Sequence, residues 1–478
     1  MGQRIDPIVY RGFHRGMADR TVLADSLMPT NQMRLVQNMD TDAIGFLTGR
    51  NGYTRVGSAV LYADEGQGLL QHDGTNPVLV AFVYGESYYL SGSSWLSKGL
   101  SYDGDAKIRS VSFLDRVMVS NGLQSPKSWD GSVGGAWDGT NFNGAPTGAL
   151  LGSYKQQLFI GNTTTDRVTF SSLPDSSGVS ITWPSGNYFI LNPNDGTNLT
   201  AMNRFGKEFL FSKVGLSGSF MYRFNGRSAD ADPVIYFGAA SQEATFVSGS
   251  IFWFYDPVKS AIVAYQGGFP QVVSKPVRSF LKAIPTNNRD LVCLWGDEDH
   301  VEAFIGDVTV DGIAFANVSL RYVISTQTWV IRTYAHEFRV FADYDDGSNF
   351  FHLGFTSEGS VVKMDTGNDD LGSNIIYDLQ TAWITIGGNP ALEQTLASLS
   401  AFMDNGRAMS VFLKTDVDPS WRPIGQVRQV VSSWAGINAP FHRIKLRFTG
   451  TSNGDPAIFD GFSLTNALVE GINEKENE

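Results

Sequence analysis

Residues Leu114 to Gly131, LDRVMVSNGLQSPKSWDG, decide the fold. Val117, Met118 and Val119 open a short apolar run that breaks at Asn121-Gly122, resumes toward Trp129 and stops at Asp130-Gly131. Two such runs about an Asn-Gly give the strongest local hairpin signal, because both residues accept the positive φ of a tight turn. The phrase recurs in outline. Hairpins begin at Asn76, Asp115, Gln156, Lys207, Gly249, Asp290 and Ser348, at intervals of 39, 41, 51, 42, 41 and 58 residues. A four-stranded propeller blade takes roughly 40–50 residues, and radial blades bury their sheet faces against one another. The spacing predicts an all-β chain with a β-propeller of six to eight blades over residues 60–388. A stack of separate sandwiches would also supply many short strands, but not this regular interval.

The two ends have a different grammar. Residues 1–57 hold seven Arg and five Asp with no Lys or Glu, a net +2, which leaves −14 on the remainder of a chain whose net charge is −12. No repeat is visible there, and residues 1–59 are expected to form an extended N-terminal arm that packs on its own chain or on a neighbour. After Gly387-Gly388 a long hairpin on Asn405-Gly406 is followed by FHRIKLRFTG and AIFDGFSLTN, which predicts a β-sandwich-like domain over 389–470. The closing stretch 471–478 is charged, has one apolar residue (Ile472), and is expected to be a flexible tail.

At 478 residues the chain can bury a sizeable core, and 51 glycines suit many tight turns. Its acidity disfavours a sequence-specific nucleic-acid binder. Cys293, the single cysteine, lies in the apolar run Leu291 to Trp295, so a buried strand position is expected. The start of the chain does not read as a secretory leader, and no apolar run reaches the ~20 residues needed to cross a bilayer.

Chemistry is sparse. The histidines His14, His72, His300, His336, His352 and His442 are scattered, with no HExxH, phosphate loop or GxSxG elbow. ADYDDGSN places Asp343, Asp345 and Gly347 nearly as a calcium loop does, but the closing Glu is missing and an Asp-Gly turn is the plainer reading. LPDSSGVSITW (Leu173 to Trp183) approaches the Asp-box turn of sialidases with the wrong spacing. No catalytic residue, metal ligand or cofactor is assigned. In HRIKLRF, Arg443, Lys445 and Arg447 share one strand face while Ile444, Leu446 and Phe448 take the other, the pattern of a charged edge strand or of a face for an acidic partner. Arg50, Arg55, Arg443, Lys445 and Arg447 are the candidate assembly residues.

The chain resembles the tail nozzle or hub proteins of short-tailed bacteriophages, the packaged-DNA stabilisation family. The resemblance rests on NMDTDAIGFLTGRNGYTRVG (Asn38 to Gly57), FLDRVMVSNG from Phe113, KEFLFS from Lys207 and FHRIKLRF before a strand through Phe462 and Leu464. It implies a virion structural protein without catalysis, made in the bacterial host's cytoplasm. It further implies a homo-hexameric ring below the portal and head-to-tail adaptor, with fibres, a spike or a needle at the tip. Double-stranded DNA would be retained and then pass through without specific binding. The alternative is a propeller that binds or cleaves carbohydrate, whose paired carboxylates would be spatial neighbours and not a sequence motif.

Overall fold

The structure, a computed structural model, describes residues 3–4, 8–13, 15–17, 32–41, 45–224, 233–385, 394–404, 408–428, 430–452, 456–465 and 468–469. Seven sheets follow one another around an axis. Their innermost strands are Gly66–His72, Arg109–Phe113, Leu150–Tyr154, Thr197–Phe205, Thr245–Ser248, Cys293–Gly296 and Phe338–Asp345, and the first lies against the last. The chain is a seven-bladed β-propeller, each hairpin of the repeat falling in one blade. Its outer ring is sealed by the N-terminal segment: strand Thr54–Arg55 adds to Val361–Lys363 as the fourth strand of blade 7.

The deciding stretch lies in blade 2, with its turn displaced from the expected place. Arg116–Ser120 pairs with Arg109–Phe113 through a two-residue turn at Leu114 and Asp115, whose φ values are 49° and 56°. Positive φ at both positions matches the twist of the flanking strands, and here neither residue is glycine. Asn121-Gly122 instead begins a wider link to Lys127–Trp129. There Asn121 Oδ1 accepts hydrogen bonds from the Leu123 and Gln124 amides at 3.1 and 3.0 Å, an Asn-capped loop in place of a tight turn. Trp129 is fully buried between blades, tilted against Tyr89 at 5.8 Å.

On the axis, Arg109 of blade 2 meets Glu243, just ahead of blade 5, at 3.0 Å, and Lys107 stands 3.6 Å from the same carboxylate. Burial pulls the Glu243 carboxyl upward, but the two cations prevail and hold it down to about 2. The remaining axial cavity, about 210 Å³, is lined by Gln67, Asn203, Gln242 and Thr245 as well. A cavity of this size is too small for a DNA duplex to run along the propeller axis.

The sandwich expected over 389–470 is drawn from both ends of the chain. One sheet combines Gln394–Met403, Val431–Phe441 and Ile458–Thr465 with the N-terminal strands Ile8–Arg11, Met39–Thr41 and Leu47–Gly49. The facing sheet runs Ile376–Gln380, Ile444–Thr451, Met409–Thr415, Arg422–Val427 and continues through Leu35–Gln37 into blade 6, where Gln37 pairs with Ile331. Phe448 packs on Phe459 at 4.7 Å across the two sheets, and Tyr10 stacks on its cross-strand partner Phe462 at 4.8 Å within one of them. Phe13, Met17, Met33 and Leu35 are all within 2% of full burial. Each contributes roughly 1.5–3 kcal/mol, so the described part of the arm belongs to the core of its own chain. The Asn405-Gly406 turn, His14 and the 471–478 tail lie outside the described residues.

Candidate interaction surface

Strand Ile444–Thr451 alternates as its sequence requires, with Ile444, Leu446 and Phe448 fully buried and Lys445 and Arg447 outward, in line with Arg443. It is not an edge strand. It lies between Ile376–Gln380 and Met409–Thr415, so its charges cover an internal sheet face and do not guard an edge. Arg447 takes both oxygens of Asp378, at 3.0 and 2.7 Å, in the bidentate geometry a planar guanidinium favours. Lys445 faces Lys414 directly across the sheet. Such a like-charge pair is unfavourable, and indole rings offset it. Trp383 lies 5.0 Å from Lys445 Nζ and 5.5 Å from the Arg443 guanidinium, and Trp421 lies 5.9 Å from Lys414 Nζ. Arg443 is tethered by Asp416, whose Oδ1 accepts its amide at 3.0 Å.

Beside this face a cleft of about 540 Å³ opens between the sheet and the long hairpin of blade 6, with Trp421, Arg447, Asp378, Gln37 and Phe315 in its walls. Ile313 and Ile376 at its lips are 49% and 58% exposed. An apolar centre with a charged, aromatic border is the anatomy of a protein-binding patch.

Arg50 belongs beneath this surface and not on it. Its guanidinium is fully buried and donates to Asp370 Oδ1 and Oδ2 at 2.9 and 2.7 Å, Asn38 Oδ1 at 3.0 Å and the Thr333 and Asn51 carbonyls. Asn38 in turn donates to the Ile376 carbonyl and to Thr333 Oγ1, each at 2.7 Å, so Arg50 fixes two residues of the cleft. Its five hydrogen bonds are all made within its own chain, and its buried guanidinium presents no charge to the surface. Arg55 is exposed on the rim of blade 7, away from this network. Only Arg443, Lys445 and Arg447 are brought together.

The sequence reading missed Asp378, Trp383, Lys414 and Trp421. The alternation of MSVFLKT could have placed Lys414 and Phe412 on one face, but the strand pairing that sets them beside Arg447 joins distant segments. It also missed a buried cluster in which Arg332 bridges Asp40, Asp365 and Glu302 at 2.6, 2.6 and 3.3 Å, joining the N-terminal segment to blades 6 and 7. Burial opposes charge there, yet the carboxylates raise the Arg332 pKa well above its ordinary value.

The acidic turns are self-contained. Asp345 Oδ1 accepts the Gly347 amide and Asp346 Oδ1 those of Ser348 and Asn349, at 2.8–2.9 Å, which is an Asp-Gly turn holding its own backbone. Asp175 accepts the hydroxyls of Ser177 and Ser180 and the Val179 amide, closing its own turn. Among the described residues no group of three or more His, Cys, Asp or Glu stands together as a metal site, and no helix is long and apolar enough to cross a membrane.

No family model and no curated protein matches the chain. Among solved structures it is similar to YCF48 from Cyanidioschyzon merolae, at 8% identity and TM-score 0.40 over 66% of this chain and 98% of that one. Virginiamycin B lyase from Staphylococcus aureus matches at 11% identity and TM-score 0.42 over 65% and 97%. The extracellular domain of the putative one-component system BT4673 from B. thetaiotaomicron matches at 8% identity and TM-score 0.41 over 91% and 63%. At this distance the likenesses say nothing of activity, and the fold rests on the seven sheets themselves.

Proposed function

We propose that the chain is a structural protein of a short-tailed bacteriophage tail, one of six copies in a ring below the portal and adaptor that retains packaged DNA and passes it at ejection. One observation supports the reading most: an acidic chain carries one outward face of Arg443, Lys445, Arg447 and Lys414 beside an apolar cleft. A closed ring needs two unlike patches on each subunit, and a local basic face on an acidic body supplies that asymmetry. The body is also suited to bearing load, since described strands from before residue 50 and after residue 393 share one sandwich continuous with blade 6. A conduit must not hold its cargo, and the overall charge of −12 favours weak, salt-sensitive contact with duplex.

The test is a cryo-EM map of the native particle, which should show six copies about the tail axis. One or three copies would count against the ring. The carbohydrate reading has a single foothold, the Trp421 ring beside the Arg447–Asp378 pair in the cleft. Glycan-array binding by the monomer, abolished by Trp421→Ala, would favour it.

A further inference from the structure

The cleft beside the basic face has a counterpart on the same chain. At the far end of blade 7 the hairpin between Phe338–Asp345 and Phe350–Thr356 projects Phe350, which is 60% exposed and stands edge-on to His352 at 5.3 Å. Acidic groups surround it. Asp343 is bonded to His352 at 2.8 Å, Asp345 and Asp73 are linked through Gln71, and Asp297 reaches His352 at 3.8 Å with the exposed Glu298 and Asp299 beside it. An exposed aromatic ring with an acidic border therefore faces solvent on one part of the molecule. An apolar cleft with a basic, indole-lined border faces solvent on another.

We propose that these two surfaces meet between neighbouring copies: Phe350 of one copy enters the Trp421–Ile376 cleft of the next, and its carboxylates pair with Lys414, Lys445 and Arg443. This rests on the ring reading above and names the contact that would build it. Tyr334, in the cleft wall, precedes strand Phe338–Asp345, and the tip lies at that strand's other end, about 23 Å away for seven residue steps of extended chain. The strand is locked in blade 7, so the tip cannot fold back into its own cleft and the occupant is a second copy. The contact is head-to-tail, and repetition about an axis closes a ring. Its make-up, an aromatic anchor in a pocket with opposed charges at the rim, is that of a specific interface.

The experiment uses the full chain and the native assembly. Zero-length carbodiimide crosslinking of the assembly, read by mass spectrometry, should join Glu298, Asp299, Asp345 or Asp346 of one copy to Lys414 or Lys445 of another. Phe350→Ala, a surface change that leaves the fold intact, should weaken association on the order of tenfold or more, as loss of an aromatic anchor does. Lys414→Glu with Lys445→Glu should abolish it, and adding Glu298→Lys and Asp299→Lys to that variant should restore part of it. Crosslinks that join only other surfaces, or a Phe350→Ala chain that assembles as the parent does, overturn the proposal. A six-membered ring in the particle without these crosslinks sinks this contact and leaves the tail reading standing. The crosslinks in a ring of self-associated chains unconnected with any virion would do the reverse.

Discussion

Replacing Arg50 by Met would separate a folding role from an assembly role. The guanidinium makes five hydrogen bonds, two of them to Asp370, and both side chains are at most 4% exposed. Methionine fills most of the volume but leaves the Asp370 carboxylate buried with the Ala335 amide at 3.1 Å as its remaining support. Removing one partner of a buried ion pair costs about 3–5 kcal/mol. Unfolding entropy of ~2.1 cal/mol/K per residue over 478 residues is about 1 kcal/mol/K. The melting temperature should therefore fall by about 3–5 °C if the chain unfolds as one unit. Arg50→Lys, which keeps the charge and loses the fork, should fall part of the way. Asp370→Asn added to Arg50→Met should recover much of the loss, because no uncompensated charge then remains. Differential scanning calorimetry at a fixed scan rate reads all three. An Arg50→Met chain within 1 °C of the parent that fails to assemble would refute the buried-keystone argument and return Arg50 to the interface.

Further outcomes follow from the charged groups. Glu243→Ala should cost about 3–5 kcal/mol, measured by denaturant unfolding, because Arg109 and Lys107 lose their shared partner. Since the Glu243 pKa is lowered from 4.5 to about 2, its contribution is complete above the unfolded value and disappears as pH falls through about 2, and Glu243→Gln should remove that acid dependence. His352 shows the opposite sign: burial pulls its pKa down, but the Asp343 carboxylate, hydrogen-bonded to it at 2.8 Å, and the nearby Asp297 win and raise it from 6.5 to about 9. Its stabilisation is whole below 6.5 and should be lost as pH rises through about 9, a slope absent in His352→Gln and visible in melts from pH 6 to 10. Cys293 is 1% exposed and burial pushes its thiol up to about 12, so an aromatic disulfide reagent should react only with unfolded protein; stoichiometric labelling of the native chain would contradict its burial.

The blades were legible because their signals are local. A hairpin needs only alternation and a turn within some twenty residues, and all seven repeated phrases lie where sheets form. Even so, the turn at Leu114 and Asp115 was hidden, because Leu does not advertise positive φ and Asp does so here without a glycine beside it. The face split of Ile444 to Phe448 was equally readable from the two-residue period. What surrounds that strand was not: its neighbours Ile376–Gln380 and Met409–Thr415 come from separate parts of the chain, so a central strand read as an edge. Arg50 failed for the same reason, its carboxylate partner being 320 residues away. A cation in a sequence carries no mark of whether its counter-charge belongs to the same molecule. The N-terminal segment lacked a repeat because its short strands are divided among three sheets and form none of their own.

The sealing of blade 7 by Thr54–Arg55 sets an order on synthesis. Residue 54 leaves the ribosome early, but its register partner Lys363 is made about 300 residues later. At ~5–20 residues per second the early strand waits about 15–60 s for its place. Throughout that interval blades 1 to 6 form an open arc with one bare flank on either side, and the core residues Phe13, Met17 and Met33 have no sandwich to enter. Closure is therefore a late event that joins an early-made strand to one made about 300 residues later. Trimming the N-terminus would not shorten a tether; it would leave the last blade without its rim and the arc without its latch.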